Sequence, residues 1–173
     1  MAPGCLLVRA WLKLRTPAPP KKEYDIVGSQ QNTLIVRPAH WPEDSEALMA
    51  VRYAVFVDEQ GVPVELERDG LDPSCSHAVA VQGDTPVGAG RITDAGHIGR
   101  VAVLASLRGQ GIGTELIRCL IGIAASTAST VPIDLNAQLH AVDFYKNLGF
   151  ESVGPVFLEA GIEHVRMVLR TSD

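Results

Sequence analysis

Apolar and polar residues alternate along this chain with two spacings, one typical of amphipathic helices and one typical of strands. Within residues 47–56 the apolar positions recur every three or four residues, which predicts a helix capped by Asp44 or Ser45. The same spacing predicts a longer helix over residues 112–124. A short third helix is predicted over residues 140–147.

Extended segments are predicted where short apolar or alternating runs are bounded by turn residues. The predicted strands cover residues 34–37, 77–82, 86–93, 97–103, 131–135, 150–153 and 162–170. The resulting order, β-α-β-β-β-α-β-α-β-β, combines an antiparallel run with a later strand–helix–strand crossover. We therefore predict an α/β domain of the α+β kind: a single mixed, mostly antiparallel central sheet of six or seven strands flanked by helices.

Composition restricts the classes of protein to which the chain can belong. Its 173 residues are 46% hydrophobic and 20% charged, which is typical of one soluble globular domain. The longest apolar run is far shorter than the ~18 residues that span a bilayer, so we expect no membrane segment. The three cysteines lie far apart without a CxxC pair, which argues against a disulfide framework or a metal site. A net charge of −5 argues against a nucleic-acid partner.

Charge divides the chain into two unequal parts. Residues 1–22 hold five basic residues and no acid, whereas residues 23–173 hold ten basic and twenty acidic residues. The basic part also contains prolines that break regular structure. We assign residues 1–32 to a basic, proline-containing extension, expected to be disordered, and residues 33–171 to the folded domain. A cytoplasmic protein with a disordered tail is favoured, and the alternative is a mitochondrial targeting segment.

The most informative stretch is a glycine-rich segment between a predicted strand and the long predicted helix. Its residues are Arg108, Gly109, Gln110, Gly111, Ile112, Gly113 and Thr114. Backbone N–H groups at the start of a helix have no intrahelical partners, and together with the helix dipole they form an anion site. Arg108 would add a charge-assisted contact. The segment is therefore predicted to bind a pyrophosphate.

Two other nucleotide-binding loops do not match this segment. A P-loop requires a lysine after its second glycine, and no lysine lies here. A dinucleotide-binding fingerprint requires G-x-G-x-x-G directly after the first strand, whereas the letters from Gly109 read G-x-G-x-G-T. The remaining alternative is a glycine-rich turn without a ligand. The preceding strand and Arg108 favour the anion site over that turn.

The letters R-G-Q-G-I-G at residues 108–113 resemble the Q/R-x-x-G-x-G/A signature of the GNAT superfamily of N-acetyltransferases. The resemblance implies the acyl-CoA N-acyltransferase fold, in which the sheet is split near its middle and coenzyme A inserts there. It also implies that the loop amides hold the pyrophosphate. A bulged strand at residues 100–103 would bond the pantetheine arm, through Val101, Ala102 and Val103.

A second segment, residues 136–150, resembles the family motif in which a strand leads to a helix ending in F-Y-x-x-x-G-F. The resemblance implies that Tyr145 protonates the departing thiolate of coenzyme A as a general acid. It also implies that Asn136 contacts the cofactor's amides. Ala141 lies four residues before Tyr145 on the same helix face and would admit the thiol arm. The alternative for Tyr145 is a packing role with a hydrogen-bonded hydroxyl.

Residues 52–69 resemble a branch of small family members with an F-x-x-E-Q-x-x-P segment, and they carry several acids. We interpret Glu59 as the base or as a contact for a cationic amine acceptor. The alternative for this segment is a solvated acidic loop. His77 and His164 are interpreted as structural histidines rather than as bases.

Together the two motifs imply an acetyl-CoA-dependent N-acetyltransferase that moves an acetyl group to a primary amine by direct attack in a ternary complex. The alternative is a non-catalytic acyl-CoA-binding or sensor module. The implied partners are acetyl-CoA as co-substrate and a small-molecule amine or amino sugar as acceptor. Exposed edge strands of the predicted sheet would also permit a homodimer.

Overall fold

The computed structural model describes residues 33–126 and 131–170, so the predicted basic extension lies outside the described residues. The strands are β1 (Leu34–Ala39), β2 (Ser76–Gln82), β3 (Thr85–Ile92), β4 (His97–Val103), β5 (Asp134–Gln138), β6 (Phe150–Glu159) and β7 (Ile162–Leu169). The α-helices are α1 (Ser45–Arg52), α2 (Val64–Glu67), α3 (Ile112–Ser126) and α4 (Val142–Lys146). A π-helical segment, Tyr53–Glu59, continues α1, and 3-10 turns cover Asp72–Ser74, Ala105–Leu107 and Leu139–Ala141. Within the described ranges, no helix is long and apolar enough to cross a membrane.

One mixed sheet contains the seven strands in the order β1-β2-β3-β4-β5-β7-β6. Neighbouring strands are antiparallel except β4 and β5, which run parallel because the connection that contains α3 crosses over between them. This topology confirms the predicted α+β architecture. The edges of the sheet are β1 and β6, and β6 is exposed after its first residue. The homodimer stays a prediction.

Two predicted strands have different bounds in the structure. The strand predicted over residues 131–135 begins and ends three residues later. The strand predicted over residues 150–153 continues to Glu159, because Gly154 and Pro155 lie at a register shift within β6 rather than at its end. Proline is tolerated there because an edge strand has N–H groups that need no partner in the sheet.

Helix α3 packs closely on one face of the sheet. Its buried residues are Ile112, Leu116, Ile117 and Leu120. They form one core cluster with Ile98 of β4 and Leu135 of β5. Glycine on β3 permits the close approach, since a Cβ at Gly88 would lie 2.9 Å from Leu116 Cδ1. This packing fixes the first turn of α3 relative to the middle of the sheet.

Helix α1 covers the opposite face of β3 and β4. Its buried residues Leu48 and Val51 join Val55 of the π-helical segment in a second, smaller core cluster. Ala89 and Ala102 complete this cluster from the sheet. The two helices therefore hold β3 and β4 from opposite sides.

The central strands β4 and β5 pair over a short distance and then separate. Their register consists of His97 opposite Asp134 and Ile98 opposite Leu135. Beyond Ile98 the outer edge of β4 is no longer occupied by β5. The sheet is thus split near its middle, as the family resemblance implies.

A β-bulge in β4 lies directly at this separation. The register between β3 and β4 shifts between Ala89 and Arg91, where β4 has one more residue than its partner. Arg100 lies in the bulge with φ +53°, a left-handed conformation that is uncommon outside glycine. A bulge bends its strand and increases the local twist. It therefore contributes to turning β4 away from β5.

A buried ionic cluster joins the segment after α1 to β3 and β4. Its members are Arg52, Glu67, Asp69, Asp72, Arg91 and Arg100. Arg52 donates from Nε to Glu67 Oε1 at 2.5 Å and from Nη1 to Asp72 Oδ1 at 2.6 Å. Arg91 donates from Nη1 to both Asp72 Oδ1 and Asp69 Oδ1 at 2.9 Å. Three guanidinium groups meet three carboxylates, so the cluster is neutral and its charges are compensated inside the protein.

This cluster gives two acids of residues 52–69 a role that the sequence did not suggest. Glu67 is 2% exposed and binds Arg52, so it is not part of a solvated loop. Asp69 binds Arg91 and Arg100, so its carboxylate is occupied as well. The solvated-loop interpretation is therefore wrong for Glu67. The arginine partners Arg91 and Arg100 come from strands that follow much later in the chain.

Removal of the Asp72 carboxylate tests whether the ionic cluster stabilises the folded protein. We expect Asp72→Ala to lower the free energy of unfolding by about 3–5 kcal/mol, because Arg52 and Arg91 each lose a buried partner. The measurement is urea unfolding. Asp143→Ala is the matched control: its carboxylate is exposed in an ion pair with Lys146, so we expect a change below about 0.5 kcal/mol. Equal effects of the two substitutions would contradict a structural role for the cluster.

The cluster also predicts how stability depends on pH. The hydrogen bond from Arg91 lowers the pKa of Asp69 to about 2 in the folded protein, against about 3.9 in an unfolded chain. A carboxyl with a lower folded pKa stabilises the protein above its unfolded pKa and loses this contribution as the pH falls. We therefore expect the free energy of unfolding to decrease between about pH 4 and pH 2. Urea titrations across this range should show a shallower decrease for Asp69→Asn, and an identical slope would contradict the assignment.

Candidate active site

The separation of β4 and β5 opens a cleft of about 730 Å³ through the middle of the sheet. Eight of the fourteen predicted site residues line it: Glu59, Val101, Ala102, Val103, Arg108, Asn136, Ala141 and Tyr145. The other six directly follow Arg108 and lead into α3: Gly109, Gln110, Gly111, Ile112, Gly113 and Thr114. The structure thus brings both predicted motifs to a single opening.

The glycine-rich loop exposes its backbone at the start of α3. Gly109 and Gly111 have φ values of +77° and +84°, which favour glycine because L side chains rarely adopt them. A Cβ built at either residue would meet no atom within 4 Å, so conformation rather than crowding requires glycine there. The N–H groups of the first turn of α3 have no intrahelical partners and add the positive end of the helix dipole. This combination can hold a pyrophosphate.

Gly113 serves a different purpose, because it makes room for α4. A Cβ at this position would lie 3.3 Å from Phe144 Cζ, closer than ordinary contact. Phe144 precedes Tyr145, and their rings pack edge to face with centroids 4.9 Å apart. The glycine therefore allows the helix that carries Tyr145 to rest against the start of α3.

Tyr145 is held by aromatic packing and lines the cleft. Its ring also packs edge to face against Phe150, with centroids 5.9 Å apart. No hydrogen-bond partner of its hydroxyl is found within residues 33–126 and 131–170. The packing role and the role as general acid both stay predictions. Burial raises the pKa of Tyr145 to about 12. The phenol therefore remains protonated near neutral pH and can donate a proton or a hydrogen bond.

Arg100 anchors the bulge of β4 to the segment that contains α2. Its guanidinium donates from Nη2 to the carbonyl of Leu66 at 2.9 Å and to Asp69 Oδ2 at 3.1 Å. Its Nε reaches the carbonyl of Glu67 at 3.4 Å. These contacts hold a non-glycine residue in a left-handed conformation where the backbone lines the cleft.

An ion pair connects Glu59 to the glycine-rich loop. Arg108 Nη1 and Nη2 each donate to one oxygen of Glu59 at 2.7 Å, and Arg108 Nε donates to the carbonyl of Val103 at 3.0 Å. The hydrogen bonds from Arg108 lower the pKa of Glu59. Both carboxylate oxygens are thus occupied, and the residue is a weaker base than an unpaired glutamate. The assignment of Glu59 as base or acceptor contact stays a prediction.

Strand β5 contributes alternate polar side chains to the cleft. Asn136 Nδ2 donates to Glu159 Oε2 at 3.0 Å, at the end of β6. Gln138 Nε2 donates to Gln60 Oε1 at 3.2 Å, which links β5 to the segment after α1. Ala141 ends the turn between β5 and α4, one helical turn before Tyr145.

Several residues that line the cleft were not predicted as site residues. They include Gln60, His97, Gln138, His140, Glu159 and His164. The alternation of Asn136 and Gln138 on one strand could have indicated Gln138. His164 was interpreted as structural, yet it reaches the cleft, because its position depends on the register of β7 against β5.

The other histidine interpreted as structural has the expected role. His77 is 2% exposed, and its Nε2 lies 2.9 Å from the carbonyl of Asp72. Its ring stacks on Trp41 with centroids 5.5 Å apart. Burial lowers the pKa of His77, which favours the neutral imidazole. The interpretation of His77 is confirmed.

Comparisons with known proteins agree with this geometry. The family model of the acetyltransferase (GNAT) domain matches residues 39–171. The uncharacterized N-acetyltransferase YjcF of Bacillus subtilis is 43% identical over 122 residues, covering 68% of this chain and 86% of YjcF. The crystal structures of an acyl-CoA N-acyltransferase from Pseudomonas aeruginosa and of ElaA from Escherichia coli both have a TM-score of 0.71, at 31% and 30% identity. Each covers 80% of this chain and 100% of the matched chain. This chain belongs to the GNAT family of acetyltransferases.

Proposed function

We propose that this N-acetyltransferase moves an acetyl group from acetyl-CoA to a primary amine of a small molecule or amino sugar, by direct attack in a ternary complex. The observation that carries the proposal is the cleft between β4 and β5, which is lined by both the bulged backbone of β4 and Tyr145. A thioester held between these groups would meet hydrogen-bond donors at its carbonyl and a neutral acid at its sulfur.

The loop from Arg108 to Thr114 is the proposed site of the pyrophosphate. Its left-handed glycines leave the backbone open, and the first turn of α3 supplies N–H donors. Arg108 is the first residue of this loop, and its guanidinium is paired with Glu59. A pyrophosphate bound at the loop would compete with Glu59 for this charge. The outer edge of β4, at Val101 to Val103, is the proposed partner of the pantetheine amides, which can bond as an added strand does.

Tyr145 is the proposed general acid. In direct transfer the amine nitrogen attacks the thioester carbon, the C–N bond forms and the C–S bond breaks. The leaving sulfur takes the proton of the Tyr145 hydroxyl, and a proton lost by the nitrogen restores the phenol through solvent. An acid with a pKa of about 12 is protonated at the start of each turnover, as this role requires.

A thiol-release assay tests the proposed function. The full chain is incubated with acetyl-CoA and a panel of primary amines and amino sugars, and free coenzyme A is measured. Release that depends on one class of amine supports the transferase and identifies its acceptor class. Acetyl-CoA binding without release for any amine would favour the alternative of a sensor module. Absence of binding would contradict the proposed pyrophosphate loop.

The role of Tyr145 predicts a selective loss of kcat. We expect Tyr145→Phe to lower kcat by about 10² or more, because a general acid contributes about 10²–10⁴ in rate. The dissociation constant of acetyl-CoA should not change, because Phe preserves the edge-to-face packing with Phe144 and Phe150. Steady-state kinetics and calorimetry measure the two quantities. Tyr53→Phe is the control, since Tyr53 is exposed and lies outside the cleft residues. Equal losses of kcat and affinity for Tyr145→Phe would indicate a binding role instead.

The conformation of Gly111 predicts a selective loss of cofactor affinity. We expect Gly111→Ala to weaken acetyl-CoA binding about tenfold, or about 1.4 kcal/mol, because alanine disfavours the left-handed backbone that aligns the loop. Gly122→Ala is the control: Gly122 lies in α3 with open space around its Cβ position, so alanine should stabilise the helix by about 0.5–1 kcal/mol without changing affinity. Calorimetric titration measures both variants. Unchanged affinity for Gly111→Ala would contradict the role of the loop.

A further inference from the structure

One face of β5 and β7 carries polar side chains, and the other carries the core. In the antiparallel register Asn136 lies opposite Arg166 and Gln138 lies opposite His164, so these four side chains share a face. The residues that alternate with them along the two strands point to the opposite face and belong to the core cluster under α3: Leu135, Ala137, Val165 and Met167. Since the core fills one face, a polar acceptor has access to the cleft from the other.

His164 is oriented on this polar face from two sides. Its Nδ1 lies 2.8 Å from the carbonyl oxygen of Ile162. A carbonyl oxygen can only accept, so Nδ1 carries the hydrogen and the neutral ring has its lone pair at Nε2. The ring also stacks on Phe157, with centroids 6.1 Å apart and planes 26° from parallel. The tautomer and the direction of the ring are therefore set by the protein.

The Nε2 atom of His164 is accessible to solvent in a residue that lines the cleft. The residue as a whole is 8% exposed, and it lines the cleft. Among the described residues, no buried side-chain nitrogen or oxygen lacks a hydrogen-bond partner. Nε2 has no partner in the same part of the chain, so it must lie where solvent reaches it. A basic nitrogen at the surface of a cleft, on a ring fixed at its other nitrogen, is the arrangement of a general base.

Two other titratable groups of the cleft, Glu59 and His97, are less suited to this role. Glu59 is bound through both oxygens by Arg108. His97 is bound through Nδ1 to Asp134 at 2.7 Å, at the closed end where β4 and β5 still pair. His164 lies instead beside Gln138, the last residue of β5, from which the chain turns into the helix of Tyr145. It is thus placed toward the end of the cleft that holds the proposed acid.

We propose that His164 is the catalytic base, whose Nε2 takes a proton from the amine of the acceptor. This inference rests on the proposed function. An alkylammonium acceptor gives one proton to Nε2 and becomes a neutral nucleophile, and its nitrogen then attacks the thioester carbon. The C–S bond breaks as the sulfur leaves with the proton of Tyr145. The nitrogen then loses a second proton, which restores the phenol through solvent, and the imidazolium releases its proton to solvent. The products are an amide and free coenzyme A, and no oxidant or further reactant is required.

The charged groups around His164 are those of the neighbouring strands. Arg166 lies two residues along β7 on the same face, where it binds Asp134. Glu159, on the facing end of β6, binds Asn136. His140 lines the cleft from the turn that follows β5. Gln138 and Phe157, the direct neighbours of His164 on the two adjoining strands, are neutral.

His164→Asn separates a chemical role from a structural one. The asparagine amide can still donate to the carbonyl of Ile162 in place of Nδ1, but nothing replaces Nε2. Using the acceptor found in the thiol-release assay, we expect kcat/KM to decrease about 10²-fold near neutral pH, with unchanged acetyl-CoA affinity and melting temperature. In this variant the acidic limb of the wild-type kcat/KM profile should be replaced by a rise at higher pH, where the acceptor amine loses its proton without the base. His40→Gln is the control, since His40 is exposed and is not a cleft residue.

A pair of acceptors of similar size but different basicity provides a second readout. A strongly basic amine is protonated at neutral pH and needs the base, whereas a weakly basic amine is already neutral. The loss caused by His164→Asn should therefore be much smaller for the weakly basic amine, and it should shrink for the strongly basic one as the pH rises. A purely structural defect would lower kcat/KM by the same factor for both acceptors at every pH.

The outcomes distinguish this inference from the function on which it rests. If the wild-type protein acetylates no amine, the proposed function fails and the inference fails with it. If the wild type is active and His164→Asn retains both its rate and its acidic limb, His164 is not the base. Loss of that limb in His97→Gln or Glu59→Gln, with His164→Asn unaffected, would assign the base to that residue and overturn the proposal.

Discussion

The separation of β4 from β5 is the constraint on which the site depends. Two paired positions hold the strands together, and everything proposed for the cofactor requires that pairing stop there. The bulge at Arg100 assists this, at the expense of a left-handed residue that costs on the order of 1–3 kcal/mol. Hydrogen bonds from a charged group contribute about 1.5–3 kcal/mol each, and the Arg100 guanidinium makes such bonds to Leu66 and Asp69. The strain of the bulge and the contacts that offset it thus belong to one residue.

The ionic cluster connects the bulge to β3 and to α1. Asp69 binds both Arg100 and Arg91, and Arg91 shares Asp72 with Arg52 of α1. A buried ionic cluster is not a strong source of stability when compared with apolar packing. Its directional hydrogen bonds do, however, fix the position of the segment after α1 relative to β3 and β4. Apolar contacts alone would define that position less precisely. This segment lines the cleft through Leu66 and Glu67, and it is positioned by the same groups that hold the bulge.

Local sequence patterns predicted those parts of the fold and site that depend on local chemistry. The order of strands and helices along the chain and the glycine-rich segment follow from periodicity and turn residues. Tyr145 was predicted as a site residue from the letters around it, and it lines the cleft. The pairing of Glu67 with Arg52 could not be predicted, because periodicity does not reveal which acids a fold will bury. The continuation of β6 past Pro155 was missed because proline marks a break unless the strand is known to lie at an edge. The position of His164 at the cleft was not predicted, because a strand's composition does not indicate which of its faces borders a cleft.

The proposed acid and the proposed base lie in different surroundings relative to the sheet. Tyr145 packs with the core on the side of α3, where burial keeps its phenol neutral. His164 lies on the polar face, where its accessible nitrogen can exchange protons with solvent. Burial disfavours the phenolate and keeps the acid protonated, whereas a base that must be regenerated after each turnover needs contact with water. An intact sheet would keep two such environments apart, and the opening between β4 and β5 is the place where one thioester can meet both.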